Sequence, residues 1–209
     1  VTGGKERIHH YMMQEGIELG PTVDAAAFIA GLHQAKTRHY LARLATGAIP
    51  LRPGVRRLLQ EARAAGIRLA IATTTTPENV DALLEHCGVP GLRDWFEVIA
   101  AGDVVPHKKP APDIFELALD TLGLRARDCV AMEESDNGAR AALAAGLEAL
   151  LITFGTYTEA QDFGPAPLVV DGLGEPGAPP LVQRGALEGA SCVDLSVLRR
   201  LHRMAFPLA

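Results

Sequence analysis

Gly66–Asn79 reads Gly-Ile-Arg-Leu-Ala-Ile-Ala-Thr-Thr-Thr-Thr-Pro-Glu-Asn, and the order of residue types in it decides the fold. The run Ile67–Ala72 is long enough for one strand, and four hydroxyl residues follow it without a break. Thr76 stands where a helix N-cap is needed and Pro77 at the first helical position. A helix carrying Val80, Leu83 and Leu84 therefore opens there and ends near Gly88. The stretch is a strand, a turn rich in donors and a helix N-terminus, an arrangement suited to a phosphoryl group.

Working outward, the same alternation recurs. Upstream, Val55, Leu58, Leu59, Ala62 and Ala65 mark a helix stopped by Gly66, a residue that tolerates the left-handed turn after a helix. Downstream come a strand over Glu97–Ala100, a helix over Ile114–Leu122 closed by Gly123, and a strand over Cys129–Met132. A helix over Ala139–Ala145 closed by Gly146, a strand over Ala149–Ile152 and a short strand at Leu168–Val170 complete the series. Repeated strand–helix units predict an α/β fold, a doubly wound parallel sheet covered on both faces. Gly172–Pro180 reads as a mobile loop, and Val193, Leu195, Leu198 and Leu201 as a last helix docked on the core.

Before Pro50 the pattern is different. Residues 1 to about 47 are helical, with Ile8, Tyr11 and Met12 on one face and Ala26, Ala27, Ile29 and Ala30 preceding Leu41 and Leu44. The domain reading is a helical module over 1–50 and an α/β core over 51–209.

Composition narrows the functional classes. At 209 residues and 48% hydrophobic content the chain can bury one sizeable core, and a net charge of −5 argues against a nucleic-acid partner. Cys87, Cys129 and Cys192 are far apart and outside any Cys-x-x-Cys spacing, so neither disulfides nor zinc are expected and a reducing cytoplasm fits. No apolar run approaches the roughly 18 residues of a membrane helix, and Val1–His10 is too polar for a signal peptide. No membrane partner is expected.

In a doubly wound sheet ligands gather beyond the carboxyl ends of the strands, and three such ends carry chemistry. Thr73-Thr74-Thr75-Thr76-Pro77-Glu78-Asn79 offers hydroxyls and free amides to an anion; alone it also fits an ordinary capped turn. His107-Lys108-Lys109-Pro110-Ala111-Pro112-Asp113 holds lysine in a backbone stiffened by two prolines; alone it also fits a solvated turn. Glu133-Glu134-Ser135 puts two carboxylates after an apolar strand, where a hard cation with oxygen ligands would stabilise them; alone it also fits a solvated acidic turn.

The three together, in that order and each after a successive strand, resemble the second, third and fourth motifs of the haloacid dehalogenase-like superfamily. Lys-Lys-Pro-Ala-Pro-Asp-Ile-Phe (108–115) and Ala-Met-Glu-Glu-Ser-Asp-Asn-Gly-Ala-Arg-Ala-Ala-Leu-Ala-Ala-Gly (131–146) are the most specific pieces. The resemblance implies that Thr73 hydrogen-bonds the transferring phosphoryl group, assisted by Thr74 and Asn79, and that Lys109 neutralises its oxygens. It implies that Glu133 and Glu134 hold or orient Mg2+, although the second position is usually Asp and Glu134 is one methylene longer. The helical module resembles part of the superfamily's cap domain. Thr2-Gly3-Gly4-Lys5-Glu6-Arg7, Leu32–Thr37 and Pro50–Val55 are similar to the CbbY-like branch, whose activity is xylulose-1,5-bisphosphate phosphatase. By that likeness Gly3, Gly4, Lys5, Arg7, His33 and Lys36 grip the distal phosphate and hydroxyls of a phosphorylated sugar. The two glycines let the backbone approach an anion.

The superfamily's first motif, a strand ending in Asp-x-Asp-Gly-Thr that supplies the nucleophile, has no counterpart in the sequence. The expectation is that the chain starts inside the cap and is inactive as it stands, with its central strand and aspartate upstream of Val1; a Val written for an alternative start codon is the other reading. The intact protein is then expected to hydrolyse a sugar phosphate through an aspartyl-phosphate. A phosphomutase of the same fold and a catalytically silent binding protein are the alternatives.

Overall fold

The computed structural model describes residues 3–207. Two helices, α1 (Gly4–Gln14) and α2 (Ala25–Ala45), stand at the start of the chain in contact with each other. Then follow α3 (Val55–Ala64), β1 (Leu69–Thr73), α4 (Pro77–His86), β2 (Phe96–Ala101), α5 (Asp113–Leu122), β3 (Ala131–Glu133) and α6 (Asp136–Ala144). The series ends with β4 (Leu150–Thr153), β5 (Leu168–Val170), β6 (Val182–Arg184) and α7 (Leu195–Ala205). Each strand and helix read from the sequence is present, with ends displaced by one to three residues where helices fray or strands start late.

Side-chain alternation along the strands assigns the layers. Leu150, Ile152 and Val169 pack with Ile114, Phe115 and Ala118 of α5 and Ala139, Ala141 and Ala142 of α6. Leu151, Leu168 and Val170 point the other way, onto Leu58 of α3 and Val197 and Leu201 of α7. Leu150, Leu151 and Ile152 of strand β4 are all buried, as expected of a parallel strand covered on both faces.

The sheet departs from the expected single parallel array in two ways. Strand β6 was not anticipated: it is three residues long, mostly exposed, and pairs antiparallel with β5. The other departure is a division. Strand β1 pairs in parallel with β2, and β3, β4, β5 and β6 form a separate ladder; among the described residues none joins β1 to β3. Lys109 links the ends of the two ladders. Thr73 O accepts from Gly102 N on the β2 side at 3.2 Å, so Ala72 O points to the opposite edge, where it accepts from Lys109 Nζ at 3.0 Å. The same ammonium pairs with Glu133 at the end of β3.

Gly172–Pro180 is less free than its composition suggests. Glu175 accepts from Gly54 N at 2.8 Å and pairs with Arg57 Nε at 3.1 Å, which ties this loop to the first turn of α3. No helix among the described residues is long and apolar enough to cross a membrane, and all three cysteines are free thiols.

Candidate active site

The carboxyl ends of β1 and β3, the loop before α5 and the helical pair α1–α2 converge. A cavity of about 170 Å3 is lined by Thr73, Thr74, Thr75, Thr76 and Asn79 from one side and by Gly3, Gly4, Lys5, Arg7, His33 and Lys36 from the other. All the substrate-binding residues expected from the sequence thus share one cavity. Thr2 of the same string lies outside the described residues. Sequence reasoning did not assign the remaining lining residues of consequence, Glu6, Asp103 and Lys108.

The hydroxyl turn is held internally. Thr73 Oγ1 accepts from Thr75 N at 3.2 Å, and Asn79 Nδ2 donates to Thr75 Oγ1 at 3.3 Å. Thr76 does occupy the N-cap position of α4, with Pro77 at N1, but its hydroxyl makes no capping bond. Thr76 Oγ1 and Asn79 Oδ1 are buried without a partner among the described residues. Such atoms are costly to leave unpaired, and they concentrate where the turn meets the cavity.

Lys109, from the loop before α5, and Glu133, at the end of β3, meet at Ala72 O, one residue before Thr73 in β1. The Lys109 ammonium is fixed three ways: by Ala72 O, by the Glu133 carboxylate, and by the face of Phe115 at 4.5 Å. Its side chain is only 11% exposed, and that of Glu133 only 4%. Burial pushes the Glu133 carboxyl up from its ordinary value and Lys109 draws it back down; the net direction is upward because desolvation is the larger effect. Glu134, by contrast, is exposed, and its backbone N–H donates to Glu133 Oε2 at 3.4 Å.

Space for the Glu133 carboxylate is provided by Gly138 in the first turn of α6. A Cβ there would collide with both Glu133 oxygens. Gly138→Ala should therefore dislodge Glu133 and, through it, Lys109. We expect a loss of about 1–3 kcal/mol, typical of an overpacked interior position, measured by urea unfolding. An alanine variant as stable as wild type would mean that the carboxylate relocates freely.

The glycines are crowded by this chain's own side chains. Gly3 has φ +100 and leads into α1, as only glycine does readily. A Cβ at Gly3 would strike the Glu6 carboxylate, and one at Gly4 would strike the His33 ring. The backbone approach is real, but this chain's own side chains already use it. The His33 imidazole is held below its ordinary pKa by burial and by the neighbouring Lys36 and Lys5, so it is neutral at neutral pH.

The donor set also bears on a metal. No group of three or more candidate ligands occurs among the described residues. Magnesium does not need one: it is commonly bound by one or two carboxylates, with phosphate oxygens and water completing the shell. Exposed Glu134 beside a charge-balanced Glu133 fits that pattern.

Comparison with known proteins agrees with this geometry. The family model for haloacid dehalogenase-like hydrolases matches residues 9–146. The plasmid protein CbbY of Cupriavidus necator is 43% identical over 212 residues, covering 97% of this chain and 79% of that protein. CbbY of Rhodobacter capsulatus is 48% identical over 165 residues, covering 79% of this chain and 70% of that one. Among solved structures, a CbbY mutant from Rhodobacter sphaeroides in complex with xylulose-(1,5)bisphosphate superposes with a TM-score of 0.71 at 46% identity, covering 82% of this chain and 73% of that one.

Proposed function

The chain belongs to the haloacid dehalogenase-like hydrolases, in the CbbY-like branch, and from that premise we propose that it forms most of a magnesium-dependent phosphatase acting on a pentulose bisphosphate. The observation that carries this reading is the two-sided cavity. A phosphoryl-binding turn, Thr73–Asn79, faces a cationic set, Lys5, Arg7 and Lys36, with Lys108 between them. A monophosphate needs only the first of these; a substrate anionic at both ends uses both.

In this reading residues 1–50 act as a partial cap over an α/β core, 51–209. Thr73 and Thr74 donate to the transferring phosphoryl oxygens, and Lys109, prefixed by Ala72, Glu133 and Phe115, offsets the charge that develops on them. Glu134 and, through its second oxygen, Glu133 would hold or orient magnesium, which supplies Lewis-acid polarisation of the phosphate. An aspartate at the Lys109 ammonium would attack phosphorus, and water would hydrolyse the resulting aspartyl-phosphate. His33, neutral, accepts or donates one hydrogen bond to the sugar, while Arg7, Lys5 and Lys36 hold the distal phosphate.

The test is phosphate release from xylulose-1,5-bisphosphate by the protein carrying a complete nucleophile strand. Turnover should require magnesium, and Lys36→Met should raise KM for the bisphosphate by about tenfold or more, the effect of losing a charge-assisted contact. Equal turnover of bisphosphate and monophosphate, unaffected by Lys36→Met, would refute the bisphosphate assignment.

A further inference from the structure

The Glu6 carboxylate lies in the notch at Gly3, over the first turn of α1, inside the cleft where the helical pair meets the α/β unit. Among the described residues it is the one carboxylate that the helical pair contributes to that cavity, beside Lys5, Arg7, His33 and Lys36. From across the cleft Lys108 Nζ reaches it at 2.8 Å and also reaches Asp103 at 3.0 Å. Lys108 and Glu6 are 102 residues apart in sequence, so the pair crosses from the loop before α5 to α1. The Glu6 side chain keeps 45% of its surface exposed and has solvent to swing into.

We propose that Glu6 is an internal stand-in for an anionic ligand: it occupies the cleft's anion position and clamps Lys108 until a doubly charged anionic group displaces it. The proposal rests on the reading of this cavity as an anion site and names the group that the ligand must evict. The physical reason is competition for one cation. Lys108 has an ammonium with three donors, two already used by carboxylates, and a phosphate or sulfate brings two charges and three or four acceptor oxygens where Glu6 brings one charge. A monoanion gains nothing by the exchange, because it replaces one negative charge by another in a half-exposed site. A dianion gains Lys108 together with the helical pair's cations. Discrimination between singly and doubly charged groups is then set by Glu6 itself. The low carboxyl pKa of Glu6, held down first by its bond with Lys108, and the raised pKa of Lys108 agree with an ion pair across the cleft.

Sulfate, doubly charged at neutral pH, is the probe. Equilibrium dialysis of labelled sulfate against the full 209-residue chain at micromolar concentration should show binding about tenfold tighter in Glu6→Gln. In Lys108→Met binding should be weaker than wild type, and adding Glu6→Gln to Lys108→Met should change it less than twofold. In the unsubstituted chain, carbodiimide labelling of the Glu6 carboxylate, read by mass spectrometry, should rise several-fold on saturation with sulfate and not with chloride at equal ionic strength. The labelling needs no variant to fold. Unchanged labelling under saturating sulfate, or equal sulfate affinity in wild type and Glu6→Gln, overturns the proposal. Neither measurement involves turnover, so the latch can fail while the phosphatase reading stands, and the reverse.

Discussion

Replacing Lys109 by Met should destabilise the fold by about 3–5 kcal/mol at neutral pH, the range for a buried carboxylate that has lost its partner. Glu133 is 4% exposed, packed against Gly138 and paired with Lys109, so methionine leaves a charge with nowhere to go. The double variant Lys109→Met/Glu133→Gln should recover most of the loss, because the pair is replaced by groups of similar volume without net charge. The pH dependence has a definite sign. A carboxyl whose folded pKa lies above its unfolded value near 4.5 binds more protons in the folded state, so its contribution is fully present below that value and is lost as pH rises. Without Lys109 to draw it back, the upward displacement of Glu133 grows. The penalty of Lys109→Met should therefore be smallest near pH 4 and increase toward pH 8. Urea unfolding of the three proteins at both pH values checks this. A penalty independent of pH, or undiminished in the double variant, would show that Glu133 is not the uncompensated group.

Much of this was legible from residues alone, and the reason is that the informative signals were local. Gly66, Gly123 and Gly146 end helices or their turns by positive φ, which a sequence announces directly. The apolar runs before Thr73 and in β4 mark covered strands whatever they pair with. Thr73, Lys109 and Glu133 stand out in the sequence because each closes such a run or lies in a rigid turn. What escaped depends on partners far away in sequence. The ion pair of Glu6 with Lys108 spans 102 positions, and neither residue carries a periodic or compositional mark. The notches at Gly3 and Gly4 could be read as close approaches, but only coordinates show that Glu6 and His33 fill them. Strand β6 has three residues, two of them exposed, and its existence depends on the neighbouring edge of β5. The position of Thr76 was predictable from Pro77, while the idle state of its hydroxyl was not.

The largest effect should come from completing the sheet. Among the described residues strands β1 and β3 each pair on one side only, and Lys109 bridges Ala72 O and Glu133 between them. Met132 of β3 is 41% exposed and Ile67, just before β1, is 40% exposed, values out of place in the middle of a covered parallel sheet. Open backbone edges flanked by apolar side chains invite self-association, so the chain alone should associate as its concentration rises. Adjacent paired strands lie about 4.8 Å apart, and one added parallel strand would ladder with both edges at once. Its carboxyl end would fall beside the Lys109 ammonium. Joining ahead of residue 1 an apolar strand that ends in Asp-x-Asp should accordingly raise the melting temperature, abolish the association and create magnesium-dependent phosphate release. The 209-residue chain should have none, since among the described residues the partners of that ammonium are Ala72, Glu133 and Phe115 and no aspartate. The same strand with its first aspartate changed to asparagine separates the two effects: stability should be kept and turnover lost by a factor of about 10⁴ or more, as when a covalent nucleophile is removed. Turnover by the unextended chain, or no gain in stability from either strand, would show that the open edges between β1 and β3 are not where the nucleophile belongs.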